Sequence, residues 1–176
     1  MVKLIIGAII AVFIVIGGFM LLDPILNPTT TSETVEVGET YSYTIEGEVK
    51  KVGTYTLADV ATMADLIEAA GGISSNADER AYFETASIKA GNTYYVASKY
   101  DSSDLCGNSQ ITKVNINSDD ANSLMTINGI TSSIASSIVS YRQENGTFQT
   151  LEQLKEVYGI GDATYRRIRN FVILHE

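Results

Sequence analysis

Leu124-Met125-Thr126-Ile127-Asn128-Gly129-Ile130-Thr131 and Leu154-Lys155-Glu156-Val157-Tyr158-Gly159-Ile160-Gly161 carry one pattern twice, offset by 30 residues. Leu124 corresponds to Leu154, Ile127 to Val157, Gly129 to Gly159 and Ile130 to Ile160. Further on, Ile138 corresponds to Ile168 and Tyr141 to Phe171. The shared positions are apolar or glycine, and the apolar ones recur at helical spacing on either side of a short glycine turn. Each copy therefore predicts helix, tight turn, helix, and residues 113–176 predict an all-α pair of such units. Capping chemistry agrees. Asn117 or Ser118 can open the first helix with Asp119 and Asp120 in its first turn, where carboxylates suit the helix dipole. Thr150 with Gln153 forms a capping box for the third helix, and Glu144-Asn145-Gly146-Thr147 breaks the chain between the copies.

The turn is where chemistry can reside. In the pattern apolar-x-Gly-apolar-Gly the apolar residues pin the hairpin to the core, and glycine leaves peptide N–H groups uncovered at the start of the next helix. Exposed N–H groups at a positive helix end make a phosphate site that ignores base sequence. The candidate residues are Gly129, Ile130, Thr131 and Ser132 in the first copy, and Gly159, Ile160, Gly161 and Asp162 in the second. Thr131 stands where the second copy has Gly161, and no base follows the first turn until Arg142. Hydroxyls of Thr131, Ser132 and Ser133 can donate there instead. In the last helix Tyr165, Ile168 and Val172 form the expected buried stripe. Arg166 and Arg169 lie about 60° apart on one flank, while Arg167 points elsewhere. Arg166 and Arg169 complete the candidate site.

These residues resemble the tandem helix-hairpin-helix domain of late-competence DNA receptors, the ComEA family. The resemblance takes in Val114-Asn115-Ile116-Asn117-Ser118 at the start of the segment. It also takes in residues 141–148 between the copies and Leu151-Glu152-Gln153-Leu154 after them. It implies capture of double-stranded DNA at the cell surface, without sequence preference, and hand-over to an uptake channel.

Upstream the periodicity changes. Tyr41, Tyr43 and Ile45 alternate with Ser42, Thr44 and Glu46, as in a half-buried strand. Residues 49–53 turn the chain into a second strand at 54–57. Thr62 then caps a helix with Met63, Leu66, Ile67 and Ala70 on one face, and Gly71-Gly72 ends it. Ala90-Gly91-Asn92 turns into a further strand, Thr93-Tyr94-Tyr95-Val96. This predicts a small α+β unit of the β-grasp type over 41–98, followed by a polar linker at 99–112. Gly47-Glu48-Val49, residues 64–72 and residues 90–96 resemble the soluble-ligand-binding β-grasp (SLBB) module. No convergent polar cluster selects a ligand, so self-association and ligand binding both remain open for it.

Residues 4–22 contain no charge and follow Lys3. As a helix at about 1.5 Å per residue they match the hydrocarbon core of a bilayer. The run outlasts a secretory h-region and is read as an uncleaved anchor over 1–23. Lys3 before it and acids after it place the N-terminus in the cytoplasm and the rest outside the cell membrane in a single pass. Residues 24–40, with Pro24, Pro28 and a Thr/Ser run, are an extended spacer. The expected fold class is thus α+β: one transmembrane helix, a β-grasp domain and an all-α hairpin domain.

The chain has 21 acidic and 12 basic residues and a net charge of −9. Taken whole, that opposes binding to phosphates. Divided by region, residues 23–112 hold 14 acids against 5 bases, and residues 113–176 hold 7 against 6. The acidity lies outside the hairpin segment. One cysteine, Cys106, and one histidine, His175, supply neither an intrachain disulfide nor a zinc site, and no nucleophile–base set can be built. Neither catalysis, a metal nor a cofactor is expected. A rival reading keeps the hairpins as a rigid envelope-assembly or protein-interaction unit, and a third has the SLBB-like surface binding glycan.

Overall fold

The alternation at residues 41–46 becomes β1, Thr40–Gly47, with Tyr43 and Ile45 buried and Ser42 and Glu46 in solvent. The computed structural model describes residues 39–101 and 109–176. The expected anchor and almost all of the spacer lie outside the described residues, as does Cys106. Among the described residues no helix is long and apolar enough to cross a membrane.

Strand β2, Gly53–Ala58, returns antiparallel to β1 with Tyr43 opposite Tyr55. The connection then crosses the sheet as α1, Met63–Ala69, and comes back as β3, Thr93–Val96, parallel to β1 with Ile45 opposite Tyr94. The order is β2-β1-β3. A capping box fixes the start of α1: the Asp65 carboxylate accepts the Thr62 N–H at 2.8 Å, and the Thr62 hydroxyl accepts the Asp65 N–H. Gly71 and Gly72, both at positive φ, end it as expected. Tyr43, Ile45, Met63, Leu66, Tyr94 and Val96 close the core between sheet and helix. Each such aliphatic side chain contributes about 1.5–3 kcal/mol by leaving water.

The hairpin segment departs from the all-α expectation in two places. Val114–Asn115 forms β4 and Val172–Ile173 forms β5, a parallel pair that brings the two ends of the segment together. The last helix therefore stops before Val172: α4 is Asp162–Ile168. The β-branched pair Val172-Ile173 and the turn-forming Asn170 favour that exit over another helical turn. The helix before the second turn is a 3-10 helix, Leu151–Glu156. Leu151 and Leu154 within it and Val157 at its C-cap are buried at every third position, which suits three residues per turn, and Glu152 is buried beside them. The expected capping contact is present, since Gln153 Oε1 accepts the Thr150 N–H at 3.3 Å. In the first copy α2 is Ala121–Leu124, capped by Asp120 rather than by Asn117 or Ser118. Asn117 instead ties the segment together, donating to the carbonyls of Phe148 and Leu174, both at 2.9 Å. The long helix α3 is Ser132–Asn145.

The β-grasp and hairpin parts belong to one compact unit. Ala81, Tyr95 and Ala97 of the former share a core with Leu124, Ile138, Leu154 and Ile168 of the latter. The described ends of the expected linker also pack: Lys99 N–H donates to the Asn76 carbonyl at 2.7 Å and Ile111 N–H to the Lys99 carbonyl at 3.0 Å.

Candidate nucleic-acid interface

Both turns are built alike. Ile130 N–H donates to the Ile127 carbonyl and Ile160 N–H to the Val157 carbonyl, each at 3.1 Å. The glycines between sit at φ +111° for Gly129 and +93° for Gly159, a region that strains any residue with a Cβ. Ile127, Ile130, Val157 and Ile160 are buried and pin the two turns. Ile130 and Ile160 thus hold the turns, with their N–H groups engaged inside them. The outward donors are those of the helix starts: Ser132 and Ser133 at α3, and Asp162, Ala163 and Thr164 at α4, which a helix leaves without internal acceptors.

The residue preceding each helix sets the difference. Thr131 and Gly161 share one extended conformation, with φ −85° and −90°. A Cβ on Gly161 would meet nothing within 4 Å. The second glycine of the motif is therefore not required by the turn, and Thr131 does not distort the first copy. Its hydroxyl accepts the Ile134 N–H at 3.3 Å, whereas Gly161 has no side chain with which to cap α4. The second hairpin keeps one more free amide.

Each glycine also faces the other copy. A Cβ on Gly129 would lie 2.9 Å from Arg167 Cδ and 3.4 Å from Ile168 Cγ2, and one on Gly159 would lie 3.2 Å from Ile134 Cγ1. The stem of Arg167 thus crosses the first turn, although Arg167 belongs to the second copy.

Of the hairpin segment's bases, most are engaged internally. Arg142 donates at 2.7 Å to the carbonyls of Ile116 and Asp119, closing the end of β4. Lys113 is buried 3.2 Å from Asp78, and Lys155 lies 5.4 Å from the Tyr165 ring centre. Arg169 lies 3.6 Å from the Tyr95 ring centre and pairs with Glu46 at 3.3 Å, so it faces the β-grasp sheet. Of Arg166 and Arg169, expected on one flank, Arg169 is tied to the sheet and Arg166 is exposed. Arg166 and Arg167 are exposed, with no hydrogen bond or ion pair among the described residues.

The junction that captures Arg169 centres on Glu152. Its Oε1 accepts the Tyr95 N–H at 2.9 Å and the Tyr165 hydroxyl at 2.7 Å, while Oε2 is buried with no partner. Burial pushes this carboxyl above its usual range, and the bonds from Tyr165 and Tyr95 offset that only in part. Beside it Asn170 Oδ1 accepts the Tyr95 hydroxyl at 2.9 Å and the Ser98 N–H at 3.3 Å. A second buried carboxylate, Asp78, has the opposite balance. Burial works against its charge, but paired donation from Arg80 and the nearby Lys113 outweigh it and hold the carboxyl low. The sequence pattern does not single out Glu152, Tyr165 and Asn170 as a polar set. The available signal was their mismatch with the first copy, which has Asn122, Ala135 and Ser140 at the same offsets.

The helix-hairpin-helix motif family matches residues 109–173 and the SLBB domain family matches residues 42–96. ComE operon protein 1 of Bacillus subtilis (strain 168) is 31% identical over 162 residues, covering 82% of this chain and 79% of that protein. The chain belongs to the ComEA family. Other relatives of this ComEA-like chain match over shorter lengths. An uncharacterized protein of Haemophilus influenzae is 42% identical over 62 residues, 35% of this chain and 55% of that protein. Endonuclease/exonuclease/phosphatase family domain-containing protein 1 of Bos taurus is 43% identical over 60 residues, 34% of this chain and only 10% of its own length.

Proposed function

We propose that this chain is a non-catalytic receptor for double-stranded DNA in natural competence, holding the duplex by its phosphates without reading bases. The observation that carries this reading is the repeated turn, which presents free helix-start amides twice in a member of the ComEA family. Gly129, Thr131, Ser132, Gly159, Gly161 and Asp162 frame the two phosphate positions, Ile130 and Ile160 pin them, and Arg166 supplies charge. Arg169 is proposed as a junction residue that orients α4. Unrelated duplexes should bind the full-length chain equally at low salt and be released as salt rises. Absence of binding to any duplex at low salt would refute the reading.

Few free cations mean few neutralised phosphates, so a single copy binds weakly and several copies act together by avidity. The β-grasp module is the proposed site of self-association, supported by β2 being an edge strand of its sheet. Sedimentation that stays monomeric at high concentration would remove that element. Residues 1–23 are proposed as the single-pass anchor, N-terminus inside, with an uptake channel as the receiving partner. Loss of membrane association when they are deleted would test the anchor.

A protein-interaction role is the competing reading. It is favoured by the occupation of Arg142, Lys155 and Arg169 within the molecule. Arg166→Glu with Arg167→Glu separates the two, since a DNA receptor loses its ligand and an assembly factor does not.

A further inference from the structure

The first hairpin is the one without a base of its own: Arg142 is occupied by the carbonyls of Ile116 and Asp119, and residues 131–140 carry no charge. Yet the aliphatic stem of Arg167 lies across its turn, with Cδ 2.9 Å and Cγ 3.6 Å from the point a Cβ on Gly129 would occupy. Arg167 is an exposed residue, and its guanidinium has no hydrogen bond or ion pair among the described residues. We infer that Arg167 of the second copy is the phosphate-binding cation of the first hairpin. It acts with the N–H groups of Ser132 and Ser133 on one phosphate. This rests on the reading of the chain as a DNA receptor.

The geometry gives the contact a structural logic. A Cβ on Gly129 would lie 2.9 Å from Arg167 Cδ, so the glycine both permits the backbone turn and leaves room for the arginine stem. A long stem fixed at Cγ and Cδ loses less freedom when its head meets a phosphate than a free surface side chain does. A charged donor beside backbone amides also gives the stronger, charge-assisted kind of hydrogen bond.

The test is a double-mutant cycle on the full-length chain with a fluorescent duplex, read over a salt series. Ser132→Pro and Asp162→Pro each delete one N–H at the first residue of a helix. Proline is tolerated there, and the preceding residue is already extended at ψ 167° and 179° respectively. Arg167→Ala should weaken binding about tenfold and lower the slope of log affinity against log salt by about 0.9. Combined with Ser132→Pro, its effect should fall short of the product of the two single effects. Combined with Asp162→Pro, it should equal that product. Arg167→Lys should restore the slope. An unchanged slope in Arg167→Ala, or coupling to Asp162→Pro in place of Ser132→Pro, overturns the inference while leaving the receptor reading intact. A wild-type chain that binds no duplex overturns both.

Discussion

Glu152, Tyr165, Arg169 and Asn170 of the second copy hold the β-grasp sheet through Tyr95, Ser98 and Glu46. Thirty residues earlier the first copy has Asn122, Ala135, Val139 and Ser140, whose side chains make no hydrogen bond to that sheet among the described residues. The two turns nonetheless keep the same hydrogen bond, the same positive-φ glycine and the same pair of buried apolar pins. Duplication preserved what makes a turn and let the outer faces diverge: one copy became the dock and the other stayed free. The contrast accounts for the placement of charge. The docked copy uses Arg169 inwardly, and its neighbour Arg167 crosses to the free copy.

The largest effect tests whether the two copies share one core. Ile138 and Ile168 occupy equivalent positions and are both fully buried. Ile138→Ala and Ile168→Ala should each cost about 2–5 kcal/mol in chemical denaturation. A single transition is expected for both, and a separate early transition in either variant would show that the copies unfold independently.

The turns come next. Gly129→Ala and Gly159→Ala should each destabilise by about 1–3 kcal/mol because both positions require positive φ. The two should differ in binding: Gly129→Ala displaces the Arg167 stem and lowers the salt slope, whereas Gly159→Ala presses on Ile134 and leaves it unchanged.

The dock can be probed through pH. Burial raises the folded pKa of Glu152 above the 4.5 of a solvated glutamate. Its contribution is therefore full below that value and is lost as pH rises through the folded pKa. Glu152→Gln keeps an acceptor for Tyr95 and Tyr165, so melting temperatures should show the variant gaining on wild type from pH 5 towards pH 8. Asp78 works in the other sense, its support disappearing as pH falls below 3.8. A wild-type profile that rises steadily to pH 8 with no gain in the variant would contradict the account of Glu152.

The smallest effect equalises the hairpins. Gly161→Thr gives α4 the cap that α3 has, in open space. Stability should rise by only a few tenths of a kcal/mol. DNA affinity should fall, because the Thr164 N–H is drawn inward. Thr131→Gly should do the reverse.

Much of this was legible in the sequence because a repeat states its own core. Ile127, Ile130, Val157 and Ile160 are pins in the pattern and pins in the structure, and β1 and β2 follow their alternation, whereas β3 buries Tyr94, Tyr95 and Val96 in a row. What escaped was non-local. The pairing of Val114–Asn115 with Val172–Ile173 joins residues nearly sixty apart, and no helical periodicity predicts a two-residue strand. A helical wheel places Arg167 away from Arg166 and Arg169 but cannot say that another turn lies there. Nor can it say that Arg169 meets an aromatic ring from a different module. Glu152 reads as a surface acid until Tyr95 and Tyr165 close over it.

The contacts around Tyr95 also have a mechanical meaning. Residues 99–112 join the modules covalently, but a duplex pulling on α4 would not have to load them. Tension entering at Arg166 and Arg167 passes through Tyr165, Arg169 and Asn170 straight to β3, and from β3 to its parallel neighbour β1. The side-chain dock is therefore a second route for force between the modules, beside their covalent connection.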